Sequence, residues 1–120
     1  MKPAFRLIIA GSRGIEPRFS QIETVLSEQG WTPTTILSGC CHGPDKAGEA
    51  WATTRLVPVE RYPADWETYG KSAGPRRNRE MAERADAALV FWDGKSRGTK
   101  NMIDEMKRRG KPVFVVEKPQ

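Results

Sequence analysis

Apolar runs alternate with segments of helical periodicity along the whole chain. Short, mostly apolar runs predict five strands, at residues 4–10, 34–38, 56–62, 87–92 and 112–116. The third of these is expected at a sheet edge, because Pro58 cannot donate a hydrogen bond to a strand ladder. The segments between the strands predict four helices, at residues 17–29, about 44–54, 75–85 and 99–109.

The first two helices show their buried faces in the spacing of their apolar residues. In the first helix, one face carries Phe19, Ile22, Val25 and Leu26, and Gly30 ends the helix. In the second helix, Ala47, Ala50, Trp51 and Thr54 are spaced at i, i+3, i+4 and i+7, which predicts a core position for Trp51. The segment that carries Trp66 and Tyr69 is predicted as a polar loop.

Strands that alternate with helices are typical of right-handed crossovers and a parallel sheet. We therefore predict a single Rossmann-like three-layer α/β domain over residues 1–120, with a mostly parallel five-stranded sheet and helices on both faces. The length of 120 residues and the apolar fraction of 38% fit one such core.

Three of the strands end at loops of glycine and other small residues that run straight into a helix. These loops are Gly11-Ser12-Arg13-Gly14, Gly39 to Gly43, and Asp93 to Thr99. At the carboxyl ends of parallel strands, backbone N–H groups and helix N-termini converge on bound ligands. In the first loop, Ser12 supplies a hydroxyl and Arg13 a fork of donors suited to phosphate. A plain turn with a solvated arginine explains the same residues, so both interpretations stay open.

Two arginines lie near the predicted start of the third helix. If Pro75 is its first residue, Arg76 and Arg77 lie in the first turn, where a cation is unfavourable unless an anion is close. Arg77 precedes Met81 by four residues on the face toward the sheet and is expected over the carboxyl edge of the strands. Glu80 and Glu83 lie at i+4 from the exposed Arg76 and Arg79, so ordinary ion pairs explain those arginines.

Thr99 and the aromatic residues of the polar loop are further candidates for ligand contacts. Thr99 is predicted to cap the fourth helix and turn its hydroxyl toward an anion, although capping alone would also explain it. Trp66 and Tyr69 precede the arginines and are suited to stacking on a base. It is an equally good explanation that these aromatic side chains only anchor a long connecting segment to the rest of the domain.

The amino-acid composition is compatible with several functions and does not select one of them. Twenty Lys and Arg against fifteen Asp and Glu give a net charge of +5, which favours phosphorylated or polyanionic partners without requiring them. The adjacent Cys40 and Cys41 make an intrachain disulfide unfavourable, and with His42 they lack a second cluster to complete a metal site. No metal or cofactor is predicted. The first apolar run is interrupted by Arg6 and too short for a membrane span, so a cytoplasmic location without membrane contact is expected.

Segments over nearly the whole chain carry a family resemblance: Gly11-Ser12-Arg13, Ser38-Gly39 with Gly43-Pro44-Asp45, Asp65-Trp66 with Tyr69-Gly70-Lys71, Ala73-Gly74-Pro75 with Arg77-Asn78 and Met81-Ala82, Ala85-Asp86-Ala87, and Phe91-Trp92-Asp93-Gly94 with Ser96-Arg97-Gly98-Thr99. In these segments the chain resembles the YspA-like family of the SLOG superfamily, Rossmann-like domains related to the Smf/DprA proteins and to LOG-type nucleotide phosphoribohydrolases. The resemblance implies binding of a nucleotide or a nucleotide-derived ligand. It also leaves a homo-oligomer open, since relatives are often dimers.

The resemblance to LOG enzymes is incomplete at the position of catalysis. The resemblance to LOG enzymes implies that catalysis uses an arginine in an Arg-Lys-x-Glu-Met segment and a glutamate just after Gly-Thr. Here Arg77 precedes Glu80-Met81, but Lys100, Asn101 and Met102 follow Gly98-Thr99. Glu105 lies one turn too far along the helix to replace the glutamate, whereas Asp45, Asp86 and Asp93 stay open as substitutes. The second loop also has Cys40 where relatives have a second glycine.

Three functions therefore stay open. The first is a sensor or binding domain for a phosphate-containing nucleotide derivative, of the ADP-ribose or nucleotide-sugar type among others. The second is a nucleotide N-glycosidic hydrolase related to LOG enzymes, and the third is single-stranded nucleic-acid binding in the manner of DprA. The predicted ligand-binding residues are Gly11, Ser12, Arg13, Gly39, Gly43, Asp45, Trp66, Tyr69, Arg76, Arg77, Asn78, Gly94, Ser96, Gly98 and Thr99.

Overall fold

Strands and helices alternate along residues 3–118, the part of the chain that the computed structural model describes. A short 3₁₀ turn at Gly70–Ser72 joins α3 to α4. The elements are β1 (Arg6–Gly11), α1 (Phe19–Gln29), β2 (Thr35–Ser38), α2 (Pro44–Thr54), β3 (Val59–Arg61), α3 (Trp66–Tyr69), α4 (Ala73–Arg84), β4 (Ala87–Trp92), α5 (Arg97–Arg108) and β5 (Val113–Glu117).

The five strands form one parallel sheet in the order β3-β2-β1-β4-β5. The chain runs outward from β1 through β2 to β3 and then crosses to the other side of β1, where β4 and β5 complete the sheet. This confirms the predicted Rossmann-like α/β fold and the edge position of β3. The strand order reverses between β1 and β4, which is the switch point where such sheets bind ligands outside the strand ends.

Side chains that alternate along β1 fill two apolar layers, one on each face of the sheet. Leu7 and Ile9 point into the layer that α1 and α2 cover, where Trp51 is also buried, as predicted. Ile8 points into the opposite layer, which α4 and α5 cover with Met81, Met106 and their neighbours. Because β1 is buried on both faces, it positions the first loop rigidly.

The face of α2 differs from its prediction. Ala50 and Thr54 are exposed, whereas Gly48 and Ala52 face the sheet. A Cβ added at Gly48 would lie only 2.8 Å from Cβ of Ile9, so the glycine allows α2 to approach the central strand closely. A stripe of apolar residues could not reveal this, because glycine carries no apolar side chain.

Other boundaries were also predicted wrongly. Phe19 is 39% exposed because α1 begins there and not at residue 17, and Ile15 fills the apolar layer instead. Leu56 is 92% exposed in a left-handed turn with φ of 57°, so β3 begins only at Val59. The predicted loop around Trp66 is helical, because the Asp65 side chain accepts a hydrogen bond from the backbone N–H of Thr68 at 3.1 Å.

The two remaining helices begin earlier than predicted. The 3₁₀ turn leads directly into α4 at Ala73, so Pro75 is the third helical residue, and Arg77 lies two residues further from the helix start than the sequence suggested. Proline is tolerated there because N–H groups of the first turn have no intrahelical acceptor. Helix α5 begins at Arg97 after the N-cap Ser96, so Thr99 does not cap it.

The close packing of α2 on β1 gives a test of the fold. We expect Gly48→Ala to lower the free energy of unfolding by roughly 1–2 kcal/mol, since the clash with Ile9 outweighs the better helix propensity of alanine. Gly98→Ala is the matched control, because no atom lies within 4 Å of the added Cβ. Urea denaturation of both variants would contradict this packing if Gly48→Ala were as stable as the control.

Candidate functional site

A cleft of about 560 Å³ opens at the carboxyl edge of the sheet, above the switch point between β1 and β4. The first and third loops form its floor, and the starts of α4 and α5 form one wall. Of the predicted ligand-binding residues, those that line it are Gly11, Ser12, Arg13, Gly39, Asp45, Trp66, Arg77, Asn78, Ser96, Gly98 and Thr99. The fold therefore brings together most of what the sequence suggested, and the ligand itself stays a prediction.

The first loop packs against the end of β4. A Cβ at Gly11 would overlap the carbonyl oxygen of Phe91 and lie 2.7 Å from Cγ of Pro44, so only glycine fits there. The N–H of Ser12 donates to the same carbonyl at 2.9 Å. Arg13 follows and is exposed at the rim of the cleft.

The buried hydroxyl of Ser12 connects the first loop to the third. It accepts a hydrogen bond from the N–H of Asp93 at 3.1 Å and lies 3.3 Å from the hydroxyl of Thr99. Thr99 is the third residue of α5 and is 92% buried, so its hydroxyl contacts Ser12 instead of capping the helix. The two loops are thus held as one unit.

Asp93 shapes the start of α5. Its carboxylate accepts hydrogen bonds from the N–H groups of Lys95 and Ser96, both at 2.8 Å, and from the Ser96 hydroxyl at 2.9 Å. The N–H of Ser96, with the other donors, lowers the pKa of Asp93 to about 2. Asp93 is therefore ionised at neutral pH and committed to the turn, in which Gly94 has a φ of 82°.

The N-terminus of α5 faces the cleft with Arg97, Gly98 and Thr99. The first N–H groups of a helix have no intrahelical acceptor and carry partial positive charge, which suits an anion. The buried Asn78 fixes this helix to α4, because its side-chain N–H₂ donates to the carbonyl of Gly98 at 3.1 Å and to the Asn101 side chain at 3.0 Å. The sequence did not single out Arg97, since α5 was predicted to begin two residues later.

The second loop is organised around a buried carboxylate. Asp45, the second residue of α2, is 4% exposed and accepts a hydrogen bond from the N–H of Cys41 at 3.3 Å, and the backbone N–H groups of Gly11 and Gly39 also act on its carboxylate. Burial raises its pKa to about 6, against the lowering effect of these N–H groups and of the Arg77 guanidinium. Cys40 takes a left-handed backbone with φ of 67°, the conformation that glycine at this position would adopt without strain.

The N–H groups of the Arg77 guanidinium donate hydrogen bonds to other groups of the protein. Nη1 donates to the carbonyl of Gly39 at 2.5 Å and to that of Tyr62 at 3.3 Å, and Nε donates to the Asn78 side chain at 3.0 Å. The guanidinium lies at the carboxyl edge of the sheet, as expected. Its contacts hold the second loop against α4, and direct contact with a ligand stays a prediction.

A second network beneath this loop was not foreseen. The Ser38 hydroxyl donates to Glu49 at 2.6 Å and accepts from the N–H of Cys40 at 3.1 Å. Although burial opposes it, hydrogen bonds from Ser38 and Arg61 lower the pKa of Glu49. No signal in the sequence indicated this network, because it depends on the burial of Glu49 beside Gly48, which the apolar spacing of α2 did not indicate.

The two candidate aromatic residues, Trp66 and Tyr69, lie in different places relative to the cleft. Trp66 is 54% exposed and lines the cleft, and a Cβ at Gly74 would lie 3.3 Å from its indole ring. Tyr69 lies outside the cleft, where the Arg76 guanidinium covers its ring at 4.3 Å and donates to Ser72 at 3.1 Å. Arg76 therefore stacks on Tyr69 and does not make the expected pair with Glu80. Gly43 and Gly94 also lie outside the residues that line the cleft.

Helix α5 holds no carboxylate that faces the cleft in place of the LOG glutamate. Lys100 forms an ion pair with Asp104 at 2.9 Å, and Glu105 is buried beneath Arg108 and Arg109. Within residues 3–118, no group of three or more His, Cys, Asp or Glu side chains is placed to hold a metal ion. None of the helices in this part of the chain is long and apolar enough to cross a bilayer.

The sheet order and the cleft at its switch point define the chain as a Rossmann-like α/β domain. A profile of the YAcAr family (YspA, cpYpsA-related SLOG family) matches residues 5–69, and the chain belongs to this family. It is 34% identical over 117 residues to the gene 61 protein of Mycobacterium phage D29, covering 91% of this chain and 94% of that protein.

A solved structure supports the fold. The chain is similar to DNA processing protein A (DprA) from Streptococcus pneumoniae, with a TM-score of 0.69 and 18% sequence identity. The match covers 96% of this chain and 50% of the DprA chain, so this chain spans half the length of that protein. At this identity the likeness concerns the fold alone.

The buried Asp45 predicts a pH dependence of stability. Its pKa of about 6 lies above the unfolded value of 3.8, so its contribution is fully present below about pH 3.8 and is lost as the pH rises through about 6. Between about pH 5 and pH 7.5 we expect native protein to lose about 1 kcal/mol of unfolding free energy relative to Asp45→Asn. Urea denaturation of both proteins at the two pH values measures this difference, and a constant difference would contradict it.

Proposed function

We propose that the cleft binds a nucleotide or nucleotide-derived ligand, with a phosphate at the N-terminus of α5. The observation that carries the proposal is the convergence of that helix end with the first loop at the switch point, joined by the contact of Ser12 with Thr99. Exposed Arg13 and Arg97 flank the same point and supply charge-assisted donors. The fold class and family membership are consistent with this assignment.

Trp66 supplies the second half of the proposed site. Its indole lies at the rim of the cleft, beside Gly74 at the start of α4, and more than half of its surface is exposed. A nucleoside that extends from the phosphate across the cleft would place its base against this ring, where stacking is worth about 1–3 kcal/mol. The proposed ligand therefore combines a phosphate and an aromatic base.

Binding without hydrolysis is the function we favour for this site. Of the carboxylates that line the cleft, Asp93 is hydrogen-bonded to N–H groups of its own loop, and Asp45 is 4% exposed and hydrogen-bonded to the N–H of Cys41. Neither is freely placed to activate water, which favours a sensor or binding domain over an N-glycosidic hydrolase. A single-stranded oligonucleotide is the second candidate, because exposed Tyr69 and Arg76 extend a basic and aromatic surface beyond the cleft.

We expect loss of a cleft arginine to weaken binding of adenosine monophosphate. Arg97→Gln should lower the affinity about tenfold, because a charge-assisted hydrogen bond to phosphate is lost. Arg76→Gln is the matched control, since it removes the same charge outside the cleft, and should change the affinity less than about twofold. Isothermal titration calorimetry measures both, and equal losses would argue against a phosphate at α5.

We expect the two aromatic residues to differ in the same way. Trp66→Ala should weaken binding of adenosine monophosphate about tenfold through lost stacking, whereas Tyr69→Ala should leave it nearly unchanged. Calorimetry with a single-stranded oligonucleotide separates the alternatives: dependence on both aromatics and a steep salt dependence would favour nucleic-acid binding. If chromatography detects free adenine released from adenosine monophosphate, the hydrolase function is favoured instead.

A further inference from the structure

Backbone N–H groups from two loops converge on the carboxylate of Asp45. Gly11 contributes from the first loop, and Gly39 and Cys41 contribute from the second, with the Cys41 nitrogen 3.3 Å from Oδ2. The Arg77 guanidinium adds a positive charge from α4. Clusters of N–H groups at a helix start, supplemented by arginine, are what proteins use to hold phosphate. Here a side chain of the same chain occupies the cluster.

The cluster, which we call the Asp45 nest, is packed full. A Cβ added at Gly39 would lie 2.8 Å from both Oδ2 of Asp45 and Nη1 of Arg77. Asp45 is 4% exposed, yet it borders the cleft. A phosphoryl group therefore has no room in the nest unless the carboxylate leaves it, and a carboxylate repels any anion that approaches.

The Asp45 nest adjoins the proposed phosphate position. The backbone N–H of Gly11 acts on the Asp45 carboxylate, and the hydroxyl of the next residue, Ser12, lies 3.3 Å from that of Thr99 at the start of α5. A diphosphate that began at α5 and continued along the first loop would reach the nest with its second phosphoryl group. A phosphoryl group beside the Asp45 carboxylate would bring like charges together in a partly buried site, which is unfavourable.

We propose that Asp45 is a specificity-determining residue that closes this half of the cleft to anions, so that the ligand carries a single phosphoryl group. The ligand class is then a nucleoside monophosphate or a related sugar monophosphate, in preference to a diphosphate such as ADP-ribose or NAD. This inference rests on the proposed function and narrows its ligand. It assigns to Asp45 a role distinct from that of the acid of a hydrolase.

Calorimetry at about pH 7.5, where Asp45 is mostly ionised, tests the preference. Native protein should bind adenosine monophosphate at least about tenfold more tightly than adenosine diphosphate or ADP-ribose, and Asp45→Ala should reduce this ratio to within about twofold. Asp45→Asn, which keeps a side chain in the nest without its charge, should reduce the ratio in the same direction. Native protein that binds the diphosphates as tightly as the monophosphate would overturn the inference, as would an unchanged ratio in Asp45→Asn.

Inorganic phosphate tests the nest independently of any nucleotide. In a thermal-shift assay at matched ionic strength, phosphate should raise the melting temperature of Asp45→Ala by several degrees more than that of native protein, because it refills the vacated nest. Recovery of folding only in phosphate would support the inference equally, and equal shifts for the two proteins would contradict it. If native protein binds no nucleotide while phosphate still rescues Asp45→Ala, the proposed function fails and the anion-binding character of the nest stands.

Discussion

The parallel pairing of β1 with β4 is the constraint on which the site depends. The register continues from Leu7 opposite Ala87 to Gly11 opposite Phe91, so both strands end at the same level of the sheet. Each then enters its loop at the point where the strand order reverses. The close approach at Gly11 and the hydrogen bond from Ser12 to the Phe91 carbonyl follow from that register. A one-residue slip would separate the Ser12 hydroxyl from Thr99 and Asp93.

Much of the fold could be predicted because local signals and tertiary packing agree. Helix α2 and strand β4 have their predicted bounds, since α2 starts at a proline after Gly43 and β4 is an unbroken apolar run. The early starts of α4 and α5 could not be predicted from Pro75 and Thr99, the residues on which their predicted starts rest. Pro75 and Thr99 are each the third residue of a helix, still within the first turn, where N–H groups have no intrahelical acceptor.

The candidate site was predictable in its parts but not in its internal contacts. Glycine and small residues after strands identified the first and third loops, because parallel strands expose their carboxyl ends together. The partners of Arg77 could not be read from spacing, since Gly39 is 38 residues away and contributes only a carbonyl oxygen. The separation of Trp66 from Tyr69 likewise depends on a one-turn helix that brings only the tryptophan over Gly74.

Charges within the site are divided between two sides of the first loop. On the side of the second loop, the Arg77 guanidinium lies near the Asp45 carboxylate, so the positive charge there is largely balanced within the protein. On the side of α5, the ionised Asp93 carboxylate is hydrogen-bonded to N–H groups of its own turn, and the cationic side chains of Arg13 and Arg97 line the cleft beside the helix end. An anion therefore gains most on the α5 side. The proposed anion site is thus confined to the α5 side of this edge of the sheet, because the chain's own Asp45 carboxylate occupies the other side.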